Sequence, residues 1–288
     1  MRDGIPWFLK MSGKMVLARI PLPHKVWNRL GIFKHGQMQD FGYAHDVFLQ
    51  HLNWAGLEDI QGNGDKVLLE LGPGESLFSA VLATAYGFQS SILLDVGNYA
   101  LPDAAAYREF AHWLQTQGLN PPSLETCSNP QEVLTCLKCS YLTEGLASLK
   151  AIPSQSVDLA FSQAVLEHVR RKEFGETIRE IHRILKPGGV STHVIDLRDH
   201  LQRSLNNLRF NEKFWESKFV SSSGFYTNRL RSSELMEIFA ASGFQAVLVS
   251  KSEWKNLPVR RQALARQFRD LPEEMLKISN ITVRCRPV

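Results

Sequence analysis

"LLELGPGES", residues 68–76, is the stretch on which the fold turns. It closes the apolar run "KVLLEL" (66–71), which is continuous rather than alternating, as expected of a strand covered on both faces. The chain then turns on Gly72-Pro73-Gly74 and enters "ESLFSAVLATAYG", a helical pattern closed by Gly87. A strand, a glycine turn and a helix in that order aim backbone N–H groups at whatever lies beyond the strand's carboxyl end.

Further buried-type strands follow: "SSILLDV" (90–96), "CSYLTEG" (139–145), "SVDLAFS" (156–162), "VSTHVIDL" (190–197), "FQAVLVSK" (244–251) and "ISNITVRCR" (278–286). Helical segments lie between them. "PDAAAYREFAHWLQTQG" spans 102–118, and a long helix is expected over "AVLEHVRRKEFGETIREIHRIL" (164–185), stopped by Lys186-Pro187-Gly188-Gly189. The alternation predicts a doubly wound α/β sheet, largely parallel, with its ligand crevice beyond the carboxyl ends of the strands. "HDVFLQHLNWAGL" spaces Val47, Phe48, Leu52 and Leu57 along one helical side, so residues 1–60 read as a helical N-terminal cap. Residues 61–288 read as the main domain, with insertions at about 98–130 and 200–230 that build a substrate pocket.

The turn discriminates among ligands. A phosphate-binding loop would need G-x-x-x-x-G-K-[ST], which is missing here. A dinucleotide fingerprint would need glycine where Leu77 stands, so a nicotinamide-dependent oxidoreductase is the weaker alternative. A ligand without phosphates asks only for close backbone approach and an acid for ribose hydroxyls. Asp95 supplies that acid 21 residues past Gly74, near the spacing of about 20 typical of a ribose-binding carboxylate. Glu70 offers a second carboxylate where a cationic ligand group would be welcome.

These stretches resemble the class I S-adenosylmethionine-dependent methyltransferases. The resemblance rests on "LLELGPGES", "ILLDVG", "IPSQSVDLAFSQAVLEHV" and "IHRILKPGGVSTHV", in that order, over about residues 66–196. In tone it is nearest to the members that act in polysaccharide and secondary-metabolite pathways. It implies a Rossmann-like sheet of seven strands with the last antiparallel, and S-adenosylmethionine as cofactor. It also implies that Glu70, Leu71, Gly72, Pro73, Gly74, Asp95 and Val96 line the cofactor. Ser162 and Gln163 would sit beside its methionine end, and Glu144-Gly145 would meet its adenine, although the third-strand acid of the family aligns loosely here. A catalytically silent, cofactor-binding module is the alternative from a different class.

Composition agrees with a small or carrier-linked substrate. A net charge of +4 over 288 residues carries no nucleic-acid footprint. The fourth-strand end reads Ser162-Gln163-Ala164-Val165 rather than the [Asp/Asn]-Pro-Pro-aromatic turn that holds a flipped base. Four cysteines fit a reducing, cytoplasmic location, and Cys136-Leu-Lys-Cys139 lacks the second pair a zinc site would want, so no metal is expected. Basic residues interrupt every apolar run near the N-terminus, which argues against a signal peptide or a transmembrane segment. Peripheral membrane contact through Trp7 and Phe8 is the form left open.

Methyl transfer from a sulfonium is an in-line displacement in which alignment does most of the work. A hydroxyl acceptor, the first choice here, also gains from a general base. The candidates are His200 and Asp199 in "RDH" (198–200), past the fifth strand, and His168 after the fourth. For Asp199 the competing reading is turn and cap duty; for His168 it is packing on a helix.

Overall fold

The strand signals become one seven-stranded sheet in the computed structural model, which describes residues 6–17, 19, 38–100 and 103–288. The strands are β1 Val67–Leu71, β2 Ser90–Leu94, β3 Cys139–Leu142, β4 Val157–Gln163, β5 Leu185–Asp196, β6 Phe244–Glu253 and β7 Ile278–Pro287. Their order is β3-β2-β1-β4-β5-β7-β6, and β7 runs antiparallel to both its neighbours. The winding reverses between β1 and β4, so the crevice opens at the carboxyl ends of those two strands. The principal helices are α1 Trp7–Leu17, α2 Phe41–Ala55, α3 Phe78–Ala85, α4 Ala104–Thr116, α5 Pro130–Cys136, α6 Leu146–Ala151, α7 Arg171–Ile184 and α8 Ser232–Ala241. The stretch of the expected N-terminal cap from 20 to 37 lies outside the described residues.

Alternation along each strand splits the core into two layers. Leu68, Leu93, Leu159 and Phe161 pack with α2, α3 and α4 on one face. Leu69, Leu71, Leu94 and Ala160 pack with α7 and α8 on the other. The continuous apolar runs exist because both faces are covered. α2 docks through Ala44, Val47, Phe48, Leu52 and Ala55 at helical spacing. Its start is fixed by the Asp40 side chain, which accepts from the Tyr43 N–H at 2.8 Å, and its end by left-handed Gly56. Asp103 and Asn129 cap α4 and α5 in the same way.

The expected long helix over 164–185 is two pieces. Ala164 takes a left-handed φ of 55°, residues 166–168 form one 3₁₀ turn, and α7 starts only at Arg171. The cause is Asn228, which intercepts carbonyls that an α-helix would use. Its side chain donates to the Leu166 and Val169 carbonyls at 2.8 and 3.1 Å, and its backbone N–H to the Glu167 carbonyl at 2.7 Å. Nor do Lys186-Pro187-Gly188-Gly189 merely stop a helix, because β5 already begins at Leu185. Lys186 pairs with Asp158 at 2.7 Å, and a Cβ on Gly189 would lie 2.9 Å from the Lys186 carbonyl oxygen. Those residues make the irregular opening of β5 against β4.

One buried cation holds the antiparallel edge to the rest. The Arg231 guanidinium, 1% exposed, donates to the carbonyls of Leu197 (2.9 Å), Met275 (3.1 Å) and Ile278 (2.6 Å). It thereby joins the end of β5, the start of β7 and the head of α8. Arg231→Met should lower stability by about 3 kcal/mol or more, since hydrogen bonds to a charged group contribute roughly 1.5–3 kcal/mol each and the carbonyls would stay buried. Urea unfolding would read this, and an unchanged midpoint would contradict it.

Candidate functional site

The crevice is built first by backbone. Gly72 and Gly74 both sit at left-handed φ, 70° and 67°. At Gly72 any side chain is excluded twice, because a Cβ would also lie 2.5 Å from Cγ2 of Val165 across the β1–β4 boundary. The Gly72 N–H donates to the Leu94 carbonyl at 2.7 Å, and the Gly74 N–H to the Asp95 carboxylate at 3.0 Å. Asp95 also accepts from the Val96 N–H at 2.7 Å, so one carboxylate ties the glycine turn to the end of β2. Leu71 and Pro73 are buried beside this turn, whereas Val96 is exposed.

The end of β3 joins the same rim. The Asp95 N–H bonds the Leu142 carbonyl, and the Gly145 N–H returns to the Asp95 carbonyl. Gly145 takes φ 54° and a Cβ there would lie 3.0 Å from Val96 Cγ1. An open groove lined by Val96, Glu144, Gly145 and Leu146 runs past this edge. Glu144 is exposed, with its N–H on the Ser148 hydroxyl. The structure thus gathers Gly72, Gly74, Asp95, Val96, Glu144 and Gly145 along the carboxyl ends of β1, β2 and β3.

Glu70 differs from these. It is 2% exposed on the α3 side of the sheet, and burial pushes its carboxyl up to about 8, Ser79 opposing the shift and Asp95 adding to it. At neutral pH it is therefore held as the acid, beneath the turn.

Beside β4 lies a polar layer. The Ser162 hydroxyl meets His193 Nδ1 at 2.9 Å, and Gln163 Oε1 accepts from His51 Nε2 at 3.2 Å. His51 Nδ1 then accepts from the Thr192 hydroxyl at 2.8 Å. Burial pulls both histidines down to about 3, which keeps them neutral. Gln163 is thus anchored by α2, a helix that precedes β1, and Ser162 by the neighbouring strand β5.

His168 and His200 come together, their rings edge to face with centroids 4.6 Å apart. The His168 Nδ1–H donates to the Tyr226 carbonyl at 2.9 Å, which leaves the ring's lone pair on Nε2. Burial lowers the His200 pKa, with Asp196 opposing and the Lys14 charge from α1 adding to the shift. The third candidate, Asp199, is spent on its own loop. Its two oxygens accept from the N–H groups of Leu201, Gln202, Ser204 and Asn206, and from the Asn206 amide. The turn-and-cap reading fits Asp199, and a base role does not.

Sequence reasoning passed over His51, His193 and Glu167. The first two look like ordinary members of a helix and a strand, and only the three-dimensional pairing reveals them. Glu167 stood in "LEHV" beside His168, but reading that stretch as α-helix turned the two apart. In the observed 3₁₀ turn Glu167 is buried against the same space.

With this geometry in view, residues 69–192 match a protein family described as a methyltransferase domain. A curated relative, O-methyltransferase 3 of Dictyostelium discoideum, is 27% identical over 136 residues. That match covers 46% of this chain and 30% of the relative, so the chain spans under a third of that protein's length. Among solved structures, a SAM-dependent methyltransferase from Methanosarcina mazei aligns with a TM-score of 0.47 at 19% identity, covering 78% of this chain and 94% of that one. The phosphoethanolamine N-methyltransferase 2 of Haemonchus contortus aligns with a TM-score of 0.44 at 16% identity, covering 78% and 50%.

The Glu70 carboxyl generates a pH dependence. Its folded pKa of about 8 exceeds the value of 4.5 for an unperturbed carboxyl, so its contribution to stability is full below about 4.5 and is lost as pH rises through 8. Glu70→Gln should flatten the fall in stability between those limits, as followed by thermal unfolding across pH. A parallel decline in wild type and variant would place the carboxyl elsewhere.

Proposed function

We propose, from the premise that residues 69–192 form a methyltransferase domain, that the chain binds S-adenosylmethionine and passes its methyl group to a hydroxyl of a small or carrier-linked metabolite. The observation that carries this reading is the Gly72–Gly74 turn tied to the Asp95 carboxylate at the β1–β4 crevice. Such a turn lets a nucleoside approach the backbone, and the carboxylate can accept from both ribose hydroxyls. Val96, Glu144 and Gly145 would flank the base along the groove, and Ser162 and Gln163 the methionine end. No phosphate-binding lysine or third glycine accompanies the turn, which favours this cofactor over a dinucleotide.

His168 and His200 are the groups we assign to activating the acceptor hydroxyl, with Asp199 holding the loop that carries His200. Segments of α1 and of the 201–226 region border that side. Met11 packs with Leu201, Trp215, Val220 and Tyr226, which brings α1 and its Lys14 charge beside His200. Support for an oxygen acceptor is the imidazole pair itself, since an amine acceptor is already nucleophilic and asks chiefly for positioning. The name of the Dictyostelium discoideum relative points the same way. No described helix is long and apolar enough to cross a membrane. We place the chain in the cytoplasm on its cysteine usage alone.

Calorimetry tests the cofactor. S-adenosylhomocysteine should bind and NAD should not. Asp95→Asn, which keeps an acceptor for only one of the two backbone ties, should weaken that binding by at least about 10-fold, the equivalent of losing one charged hydrogen bond. Binding of NAD without a response to S-adenosylhomocysteine would sink the assignment. A second set of variants tests activation. Once a substrate is in hand, His168→Ala and His200→Ala should lower turnover by about 100-fold or more while S-adenosylhomocysteine affinity holds. Turnover near wild type in both would leave alignment as the whole of the catalysis.

A further inference from the structure

We propose that Glu167, His168 and His200 form a binding site for a divalent transition-metal cation on the acceptor side of the crevice. Each of the three offers one ligand atom, and these atoms lie within 4.8 Å of one another. Donors bound at about 2.1 Å to one ion sit roughly 3.4 Å apart in tetrahedral geometry, so closing on the ion asks for movements of about 1 Å. His168 is exposed and His200 half-buried, and side chains so placed can make that adjustment.

The donor set is chemically specific. Two imidazoles and one carboxylate leave open positions on manganese, iron(II), cobalt or zinc, where an oxygen ligand can enter. Glu167 is the independent observation. It is 2% exposed, yet neither carboxylate oxygen makes a well-formed hydrogen bond among the described residues, the backbone N–H groups of Glu167 and Asp196 lying near it without closing one. A buried carboxyl so poorly satisfied is costly, and a cation would satisfy it. The surroundings suit this role. The Tyr226 carbonyl holds the Nδ1 proton of His168, the kind of outer contact that fixes a ligating imidazole. Arg198, the nearby cation, is already chelated by Asp196 through two bonds of 2.8 Å, so its charge is matched locally.

The site rests on this geometry, while its use rests on the methyl-transfer reading above. A hydroxyl oxygen entering an open position would lose its proton to water more readily, because the bound cation lowers its pKa. The resulting alkoxide then attacks the methyl carbon. A carbon–oxygen bond forms, the carbon–sulfur bond breaks with its electron pair going to sulfur, and the products are an ether and a neutral sulfide. His168 and His200 would then activate the acceptor through the ion they hold.

Manganese(II) is the probe, being hard enough to avoid the cysteines. Titration of the chelator-stripped full chain by calorimetry, without cofactor or acceptor, should show one saturable site. Glu167→Gln and His168→Ala should each weaken it by about 100-fold or more, given that even outer-contact changes alter metal affinity by about 10–100-fold. Cys136→Ser should leave it unchanged. Far-ultraviolet circular dichroism confirms that each variant is folded. An absence of saturable binding to the wild type, or binding that survives in both ligand variants, would overturn the proposal. S-adenosylhomocysteine titrated into the same samples separates the two readings. Manganese binding without it leaves the metal site standing and removes the methyltransferase reading, and the converse removes only the metal site.

Discussion

The Asp95 carboxylate, shared between the N–H groups of Gly74 and Val96, is the tie on which the crevice depends. It fixes the turn after β1 to the end of β2, and the neighbouring Gly145–Asp95 backbone bond extends the same rim to β3. Three successive strand ends therefore share one anchoring point. The turn can take left-handed φ at two positions because glycine stands at both, and Val165 closes it from the β4 side. A ligand meeting this rim finds amides and a carboxylate already set in place, so little ordering is left for binding to impose.

Polar groups beneath the site are arranged so that none needs to carry charge. His51 and His193 are neutral at any ordinary pH, and each serves as a hydrogen-bonded wedge beneath Gln163 or Ser162. Glu70, under the turn, is kept as an acid by the same burial. Apart from the rim carboxylates of Asp95 and Glu144, charge gathers where Arg198, Asp196 and Lys14 surround His200. The electrostatic contrast divides the crevice into a neutral floor and a charged wall.

Much of this was legible in the residues. Continuous apolar runs gave the central strands to within a few residues, because burial on both faces leaves no other pattern for a strand. The glycine turn and Asp95 stood out because few contexts ask for those residue types at that spacing. The segment after β4 was misread for a physical reason. Its residues suit a helix, but Asn228, more than fifty residues away in sequence, takes the carbonyls that such a helix would need. Asp199 was ambiguous in the same way, since only the fold shows how many N–H groups surround it. The pairing of His168 with His200, and of both with Glu167, joins the 3₁₀ turn after β4 to the loop after β5 and leaves no local trace.

His51 carries a consequence for how the chain can be divided. The family match opens inside β1 and stops at residue 192, partway along β5, before β7 has been laid against that strand. A fragment excised at those limits would cut β5 in two and leave its open edge unpaired, an invitation to association between copies. It would also strip α2 from Phe161 and leave Gln163 and Thr192 facing water in place of an imidazole. The stretch matched by the family is therefore smaller than the packed unit, and α2 belongs to that unit as fully as the strands themselves.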